Sequence, residues 1–198
     1  MMMNPNCSFD QVYKNIRFKL NHVCMEKGLK FAGLKFSDYP QYENIEKFHS
    51  QYKDKLKDLC ASKPYVEIGY SGTFKNGTNF DYIFGCLIDD DQKILEGLTV
   101  FDTGLTEFLE MQFEAASAYE LVGDENGSGD AMNEAMEYIK TQWLPNHRDQ
   151  VELIDETNNI FAFNMDGVQY LTSVIEIYKV DITDDHKMSY YIPLKKTK

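Results

Sequence analysis

The sequence lacks the cysteine and apolar patterns that mark several large classes of protein. Its four cysteines, Cys7, Cys24, Cys60 and Cys86, are widely spaced and form no Cys-x-x-Cys pair. Neither a zinc module nor a disulfide framework is therefore predicted. No run is long and apolar enough to span a bilayer, and the N-terminus has no apolar signal core. We expect a reduced, cytoplasmic location without membrane contact.

Basic residues are also scarce: 20 Lys and Arg stand against 32 Asp and Glu, which gives a formal net charge of -12. Binding to nucleic acid needs clusters of basic side chains, so no direct nucleic-acid partner is expected. The negative charge suits a cationic ligand or imitation of an acidic polymer, although its commonest role is to keep a protein soluble. A hydrophobic content of 43% is enough to build a packed core.

The clearest helical pattern runs from Asp130 to Asn146. Its apolar residues recur at steps of three and four: Met132, Ala135, Met136, Ile139 and Trp143. This spacing predicts one buried helix face. Asp130 is the expected N-cap. Pro145 should push Leu144 out of the α region and end the helix near Trp143, the only Trp in the chain.

The first half of the chain shows two strand patterns, a helix and two further strands. Residues 16–20 alternate, and residues 29–36 form a second strand candidate around Gly33. From Tyr42 the apolar period changes to three or four and predicts a helix of about five turns. Two strand-like runs follow at 64–71 and 80–88, separated by a hairpin signal at Asn76-Gly77.

The second half repeats this order less clearly. A strand is expected at 98–101, residues 105–111 fit helix and strand equally, and 116–122 read as a strand before the helix. The segment 149–172, with a turn at Asp166-Gly167, reads as an added hairpin or a loop against the core. The final strands are 174–178 and 190–194, where Pro193 marks an edge or an end.

Both halves therefore read strand, helix, strand, strand. This order predicts an α+β domain of tandem β-α-β-β repeats with pseudo-two-fold symmetry, antiparallel sheets, two main helices and a central cleft.

Several short motifs occur in a recognisable order. They are Asp38-Tyr-Pro-Gln-Tyr-Glu-Asn-Ile-Glu46, Tyr82-Ile-Phe-Gly85, Tyr119-Glu-Leu-Val-Gly123, Trp143-Leu-Pro-Asn146, Ile175-Glu-Ile-Tyr178 and Tyr191-Ile-Pro-Leu-Lys195. Together they resemble the GyrI-like small-molecule-binding family. That family includes the effector-binding domains of AraC-type and MerR-type transcription activators and stand-alone integron-encoded versions. The resemblance covers residues 29–196, so we expect residues 29–198 to form this domain and 1–28 a leader with the first strand.

The resemblance implies a SOUL-like duplicated fold with an aromatic cleft and one acid on its floor. By motif position the acid is Glu176, and Tyr178 lies on the same strand face because side chains repeat every two residues. The predicted ligand-binding residues are Glu176, Tyr178, Trp143, Tyr70 and Tyr119. Tyr65, Tyr82 and Tyr190 are further candidates for aromatic walls. The chain departs from the family in lacking a helix-turn-helix region and in a longer segment between Trp143 and Glu176.

Simpler interpretations of the same residues stay open. Glu176 could face outward from a half-exposed strand, and Trp143 could close the helix–sheet core. Cys86, on a buried strand, is expected in the core. No metal or cofactor is predicted: none of the histidines His22, His49, His147 and His186 stands at ligand spacing with another or with Cys. The loop 123–130 matches only the start of a calcium-binding pattern, and its acids would repel phosphate.

Three functions fit these observations. The first is a stand-alone multidrug-type binding protein for a lipophilic, cationic small molecule. The second is a hydrolase of electrophilic toxins that uses the same cleft, with Glu176 acting on water. The third is an acidic protein partner that inhibits a DNA-handling enzyme such as gyrase, through charge runs such as Asp89-Asp90-Asp91.

Overall fold

The computed structural model describes residues 10–36, 42–59, 66–73, 79–88, 93–122, 129–155, 160–165, 168–179 and 186–194. This part of the chain is a mixed α+β structure with a large antiparallel sheet and few helices. None of its helices combines the length and apolar character that crossing a lipid bilayer requires.

The described residues contain twelve strands: β1 (Gln11–Tyr13), β2 (Ile16–Cys24), β3 (Lys30–Phe36), β4 (Val66–Thr73), β5 (Asn79–Leu87), β6 (Thr99–Asp102), β7 (Glu107–Glu114), β8 (Glu152–Asp155), β9 (Ile160–Met165), β10 (Val168–Thr172), β11 (Ile175–Lys179) and β12 (Lys187–Pro193). The α-helices in the same residues are α1 (Tyr42–Phe48), α2 (Asp54–Leu59), α3 (Ala118–Val122) and α4 (Asp130–Tyr138). A π-helical segment, His49–Lys53, joins α1 to α2. Another, Ile139–Trp143, continues α4 into the 3-10 turn Leu144–Asn146.

The strands pair in the order β6-β3-β5-β4-β11-β12-β7-β2-β1, and every pairing is antiparallel. The hairpin β9–β10 joins β4 through the single pair Thr172–Gly72, and β8 pairs with β9. The pair β4–β11 therefore lies in the middle of the sheet. It brings together two strands that are more than 90 residues apart in the chain.

The two faces of the sheet carry different apolar clusters. On one face, α4 and its π-helical continuation cover β2, β7 and β12; we call this the α4 cluster. The chain from α1 to α2 covers β3 and β5 on that same face, as the α1 cluster. The opposite face carries the inner cluster, which includes Phe31, Ile68, Phe108 and Ile175. Alternation along each strand produces this division, since neighbouring side chains point to opposite faces.

The helix α4 follows the predicted apolar stripe, but both of its ends differ from the prediction. Gly129 occupies the N-cap in an extended conformation, and Asp130 is the first helical residue without a side-chain cap. An acid at this place still interacts favourably with the amino end of the helix dipole. Leu144 keeps α-helical dihedral angles (φ -56°, ψ -38°) although Pro145 follows it. The proline is accommodated because it opens a 3-10 turn, where its missing N–H is not needed.

The predicted strand at 116–122 is wrong, because the structure has the helix α3 there. Ser117 Oγ accepts the backbone N–H of Glu120, and the carboxylate of Glu120 accepts the N–H of Ala116. These bonds satisfy amide groups that have no partner at a helix start, so the Ser-x-x-Glu sequence begins a helix. The neighbouring segment that fitted helix and strand equally forms the strand β7.

The remaining expectations concern added and terminal segments. The segment 149–172 contains the antiparallel hairpin β9–β10, as one of its two readings predicted. Pro193 is the last residue of β12, which lies inside the sheet, so it marks an end and not an edge. Cys86 is fully buried, as expected.

The turns Asn76-Gly77 and Asp166-Gly167 and the loop 123–128 lie outside the described residues. The boundary at residue 28 stays a prediction, although β2 pairs with β7 along its length.

Candidate functional site

The candidate site is built on Glu176, in the central strand β11. Its cross-strand neighbours are Gly69 on β4 and Tyr190 on β12. Ile175 and Ile177 point into the inner cluster, so alternation places the carboxylate of Glu176 on the face that carries the helices. Tyr178, two residues further along, packs against both the α4 cluster and the α1 cluster. Glu176 therefore lies where the two helical layers meet over the sheet.

Two tyrosine hydroxyls hold one oxygen of this carboxylate. Tyr82 on β5 donates a hydrogen bond of 2.9 Å to Oε2 of Glu176, and Tyr178 donates one of 2.8 Å to the same atom. Within the described ranges, the other oxygen, Oε1, accepts no hydrogen bond, and no cationic side chain pairs with the carboxylate. The neighbouring Glu67 differs, because its Oε2 lies 3.0 Å from Nε2 of His49.

The electrostatics of the site follow from its enclosure. Burial raises the pKa of Glu176, and the hydrogen bonds from Tyr178 and Tyr82 oppose that rise. Burial and the nearby charge of Glu176 also raise the pKa of Tyr178 well above its usual 10, so its hydroxyl remains a donor. Glu176 and Tyr178 nevertheless keep partial solvent exposure. Glu176 and Tyr178 are therefore enclosed by protein but still reach solvent, and we call the space above this carboxylate, where the two helical layers meet, the recess.

Buried aromatic side chains of the α1 cluster pack beside Tyr178. The ring of Phe84 lies 6.0 Å from that of Tyr178 and 5.3 Å from that of Phe48. His49, at the start of the π-helical segment, lies 5.8 Å from the ring of Phe84, and its Nε2 contacts Glu67. Glu67 is the cross-strand neighbour of Tyr178. The hydrogen-bonded pair of His49 and Glu67 therefore lies beside Glu176 and Tyr178.

Gly69 is required by the close approach of these groups. A Cβ atom at this position would overlap the hydroxyl of Tyr82 and Oε2 of Glu176. The absence of a side chain on β4 gives the carboxylate the space to lie over the neighbouring strand and reach Tyr82.

The structure brings together only some of the residues that the sequence predicted. Glu176 and Tyr178 share the recess, and Tyr82, a candidate for the aromatic walls, donates to the same Oε2 of Glu176 as Tyr178 does. Trp143 is buried in the α4 cluster and stacks on His147 with ring centroids 4.2 Å apart, so it closes the helix–sheet core. Tyr190 is also buried in this cluster.

Two of the predicted site residues do not line the recess. Tyr70 is fully buried in the inner cluster, on the opposite face of the sheet, because it alternates with Gly69 along β4. Tyr119 is 67% exposed on α3, since the predicted strand there is a helix. Tyr65 and the acidic run Asp89-Asp90-Asp91 lie outside the described residues.

Sequence reasoning missed Phe84, His49, Glu67 and Gly69. Phe84, Glu67 and Gly69 lie on the same face of the sheet as Tyr82 and Glu176. A correct pairing of β4 with β5 and β11 would therefore have identified them. His49 gave no such signal, because its direction depends on the π-helical segment that begins there.

We expect Gly69→Ala to destabilise the protein by about 1–3 kcal/mol, since the added methyl group overpacks the site. In a Tyr82→Phe background the same substitution should cost less, because the hydroxyl that it meets is gone. Urea denaturation of the two single variants and the double variant measures this coupling. Strictly additive losses would contradict the predicted contact.

The raised pKa of Glu176 predicts the sign of a pH dependence. The folded chain binds this proton more tightly than the unfolded chain, whose carboxyl has its ordinary pKa of 4.5. The contribution of Glu176 to stability therefore falls as the pH rises from 4.5 through the raised pKa. Glu176→Gln removes this dependence, so its stability relative to wild type should increase over that interval. Denaturation curves across pH test the prediction, and a decrease would contradict it.

Comparison of the chain with models of known protein families gave no match, and comparison with curated proteins also gave none. The resemblance to the GyrI-like family thus stays a prediction from the motifs quoted above.

Proposed function

We propose that the chain binds a lipophilic, cationic small molecule in the recess over Glu176, as a stand-alone effector-binding domain of the GyrI-like type. The observation that carries this proposal is the incomplete hydrogen bonding of the Glu176 carboxylate. Two tyrosines fix Oε2, while in the described part of the chain Oε1 accepts no hydrogen bond and no cation lies beside it.

The energetics favour a cationic ligand. A desolvated carboxylate without a counter-charge destabilises the folded protein, and the raised pKa of Glu176 reflects that cost. A ligand cation would offset this cost when it binds, and its positive charge would also be attracted to the face of the partly exposed Tyr178. Tyr82 and Tyr178 keep the carboxylate in place before the ligand arrives, which reduces the entropy lost on binding.

The strand order supports a duplicated architecture for this binding protein. The first half supplies β3, the helices α1 and α2, β4 and β5, while the second supplies β7, α4, β11 and β12. In the sheet these strands run β3-β5-β4-β11-β12-β7. Read inward from either end, this order gives the first, third and second strand of one half. We infer a pseudo-two-fold axis between β4 and β11, with Glu176 beside it and the hairpin β9–β10 added to the second repeat.

Glu176→Gln should weaken a cationic aromatic dye by tenfold or more while leaving a neutral isostere almost unchanged, because the amide keeps the shape and loses the charge. Isothermal titration calorimetry with both ligands measures this difference. The matched control is Glu46→Gln, which removes the same charge from an exposed position on α1. Equal losses for the dye and the isostere, or for the two variants, would contradict the electrostatic role.

The raised pKa also supports a second candidate function, hydrolysis of an electrophile in the same recess. A carboxylate whose pKa approaches the working pH can accept a proton from water, and Oε1 is the atom that would do so. With a strained cyclic electrophile, turnover should fall by about 10²–10⁴-fold in Glu176→Gln. Mass spectrometry of the products tests this; a stoichiometric complex without product leaves binding alone.

A further inference from the structure

We propose that His22, Cys24 and Glu107 form a binding site for a transition-metal dication, with Zn²⁺ as the best-suited ion. His22 and Cys24 project from the same face of β2, because they are two residues apart. Glu107 is the direct cross-strand partner of Cys24 on β7. One donor atom from each residue lies within 4.8 Å of the other two. This proposal does not depend on the function proposed for Glu176.

The distances are close to those of a tetrahedral zinc site. Nε2 of His22 is 2.8 Å from Oε1 of Glu107, and Sγ of Cys24 is 3.8 Å from Nε2. Around one zinc ion at usual bond lengths, nitrogen and oxygen ligands would be roughly 3.3 Å apart, and sulfur and nitrogen roughly 3.6 Å. Small rotations of the exposed side chains of His22 and Cys24 are enough to change the present distances into those of a zinc site.

The donor set selects the class of metal. A thiolate sulfur is a soft ligand and an imidazole nitrogen suits Zn²⁺, whereas Mg²⁺ and Ca²⁺ prefer sites made only of oxygen. Glu107 is almost buried, with 9% of its side chain exposed, while the side chain of His22 is 55% exposed and Cys24 faces solvent. Three protein ligands therefore surround a position that opens to solvent, where water can supply the fourth ligand.

The backbone around these residues is held firmly. Cys24 and Glu107 form the last pair of the β2–β7 ladder, and the N–H of Met25 donates to the carbonyl of Thr106 just beyond it. The carbonyl of Glu107 accepts the N–H of Leu194, which anchors the end of β12 to the same place. A bound metal would replace the hydrogen bond between His22 and Glu107 and would join β2 to β7 at this end.

The test uses the full chain with Cys7 and Cys60 replaced by serine, which leaves Cys24 and the buried Cys86 as thiols. Zn²⁺ titration should give one equivalent bound. Cys24→Ser and His22→Gln should each weaken Zn²⁺ binding at least about tenfold, because even the loss of an outer partner of a metal ligand typically costs about 10–100-fold. His186→Gln, a histidine outside the group, is the matched control and should bind as the parent does.

Cobalt(II) supplies an independent readout. The parent should show thiolate-to-metal charge-transfer absorption in the near ultraviolet and strong tetrahedral visible bands, and Cys24→Ser should lose the charge-transfer absorption. Zn²⁺ should raise the melting temperature of the parent and of His186→Gln but not that of the site variants. Equal affinity in Cys24→Ser, no charge-transfer absorption, or displacement of Zn²⁺ by excess Mg²⁺ would overturn the proposal.

Discussion

The arrangement of the site depends on one constraint: a partly desolvated carboxylate lies at the central strand pair of the sheet without a cationic partner in the described residues. Glu176 reaches this position because Gly69 leaves space beside it on β4. The hydroxyls of Tyr82 and Tyr178 recover part of the lost hydration at Oε2. The remaining cost appears as a raised pKa, and the rest of the fold has to offset it.

The apolar clusters on both faces supply that stabilisation. Ile175 and Ile177 are buried on either side of Glu176, and each fully buried aliphatic side chain contributes about 1.5–3 kcal/mol. Their burial fixes the register of β11, because a shift by one residue would move the isoleucines to the helical face and the carboxylate inward. The same two side chains therefore stabilise the strand and determine where the acid points.

The sequence predicted features that depend on local periodicity and missed those that depend on pairing. The stripe from Met132 to Trp143 identified α4 because helical spacing is visible in the chain itself. Tyr178 followed from Glu176 by alternation. Tyr70 lies outside the recess because strand identity alone does not say which face a residue occupies. Ile68, two residues earlier on the same face of β4, indicated the apolar face. The sequence Ser117-x-x-Glu120 indicates the start of α3, whereas the apolar run of residues 116–122 alone favours a strand.

Some contacts at the Glu176 site and at the proposed metal site could not be predicted without the fold. His49 meets Phe84 only because the helix adopts π geometry at that point. His22 and Cys24 are two residues apart, a spacing that gives neighbours on a strand but is not typical of zinc modules on loops and helices. Glu107 joins them from a strand more than 80 residues later, through the register of β2 with β7.

A comparison of two buried acids shows why Glu176, and not simply any buried carboxylate, marks the candidate ligand site. Glu110 on β7 is only 4% exposed, so burial alone would rank it first. Its Oε1 accepts hydrogen bonds from Ser189 and Gln112, and its Oε2 accepts one from Asn21. Both of its oxygens are therefore satisfied from within the protein, and the group stabilises the interior as a polar network. Among the described residues Glu176 has partners on Oε2 alone, and it keeps partial contact with solvent, so a ligand can complete its hydrogen bonding where none is needed at Glu110.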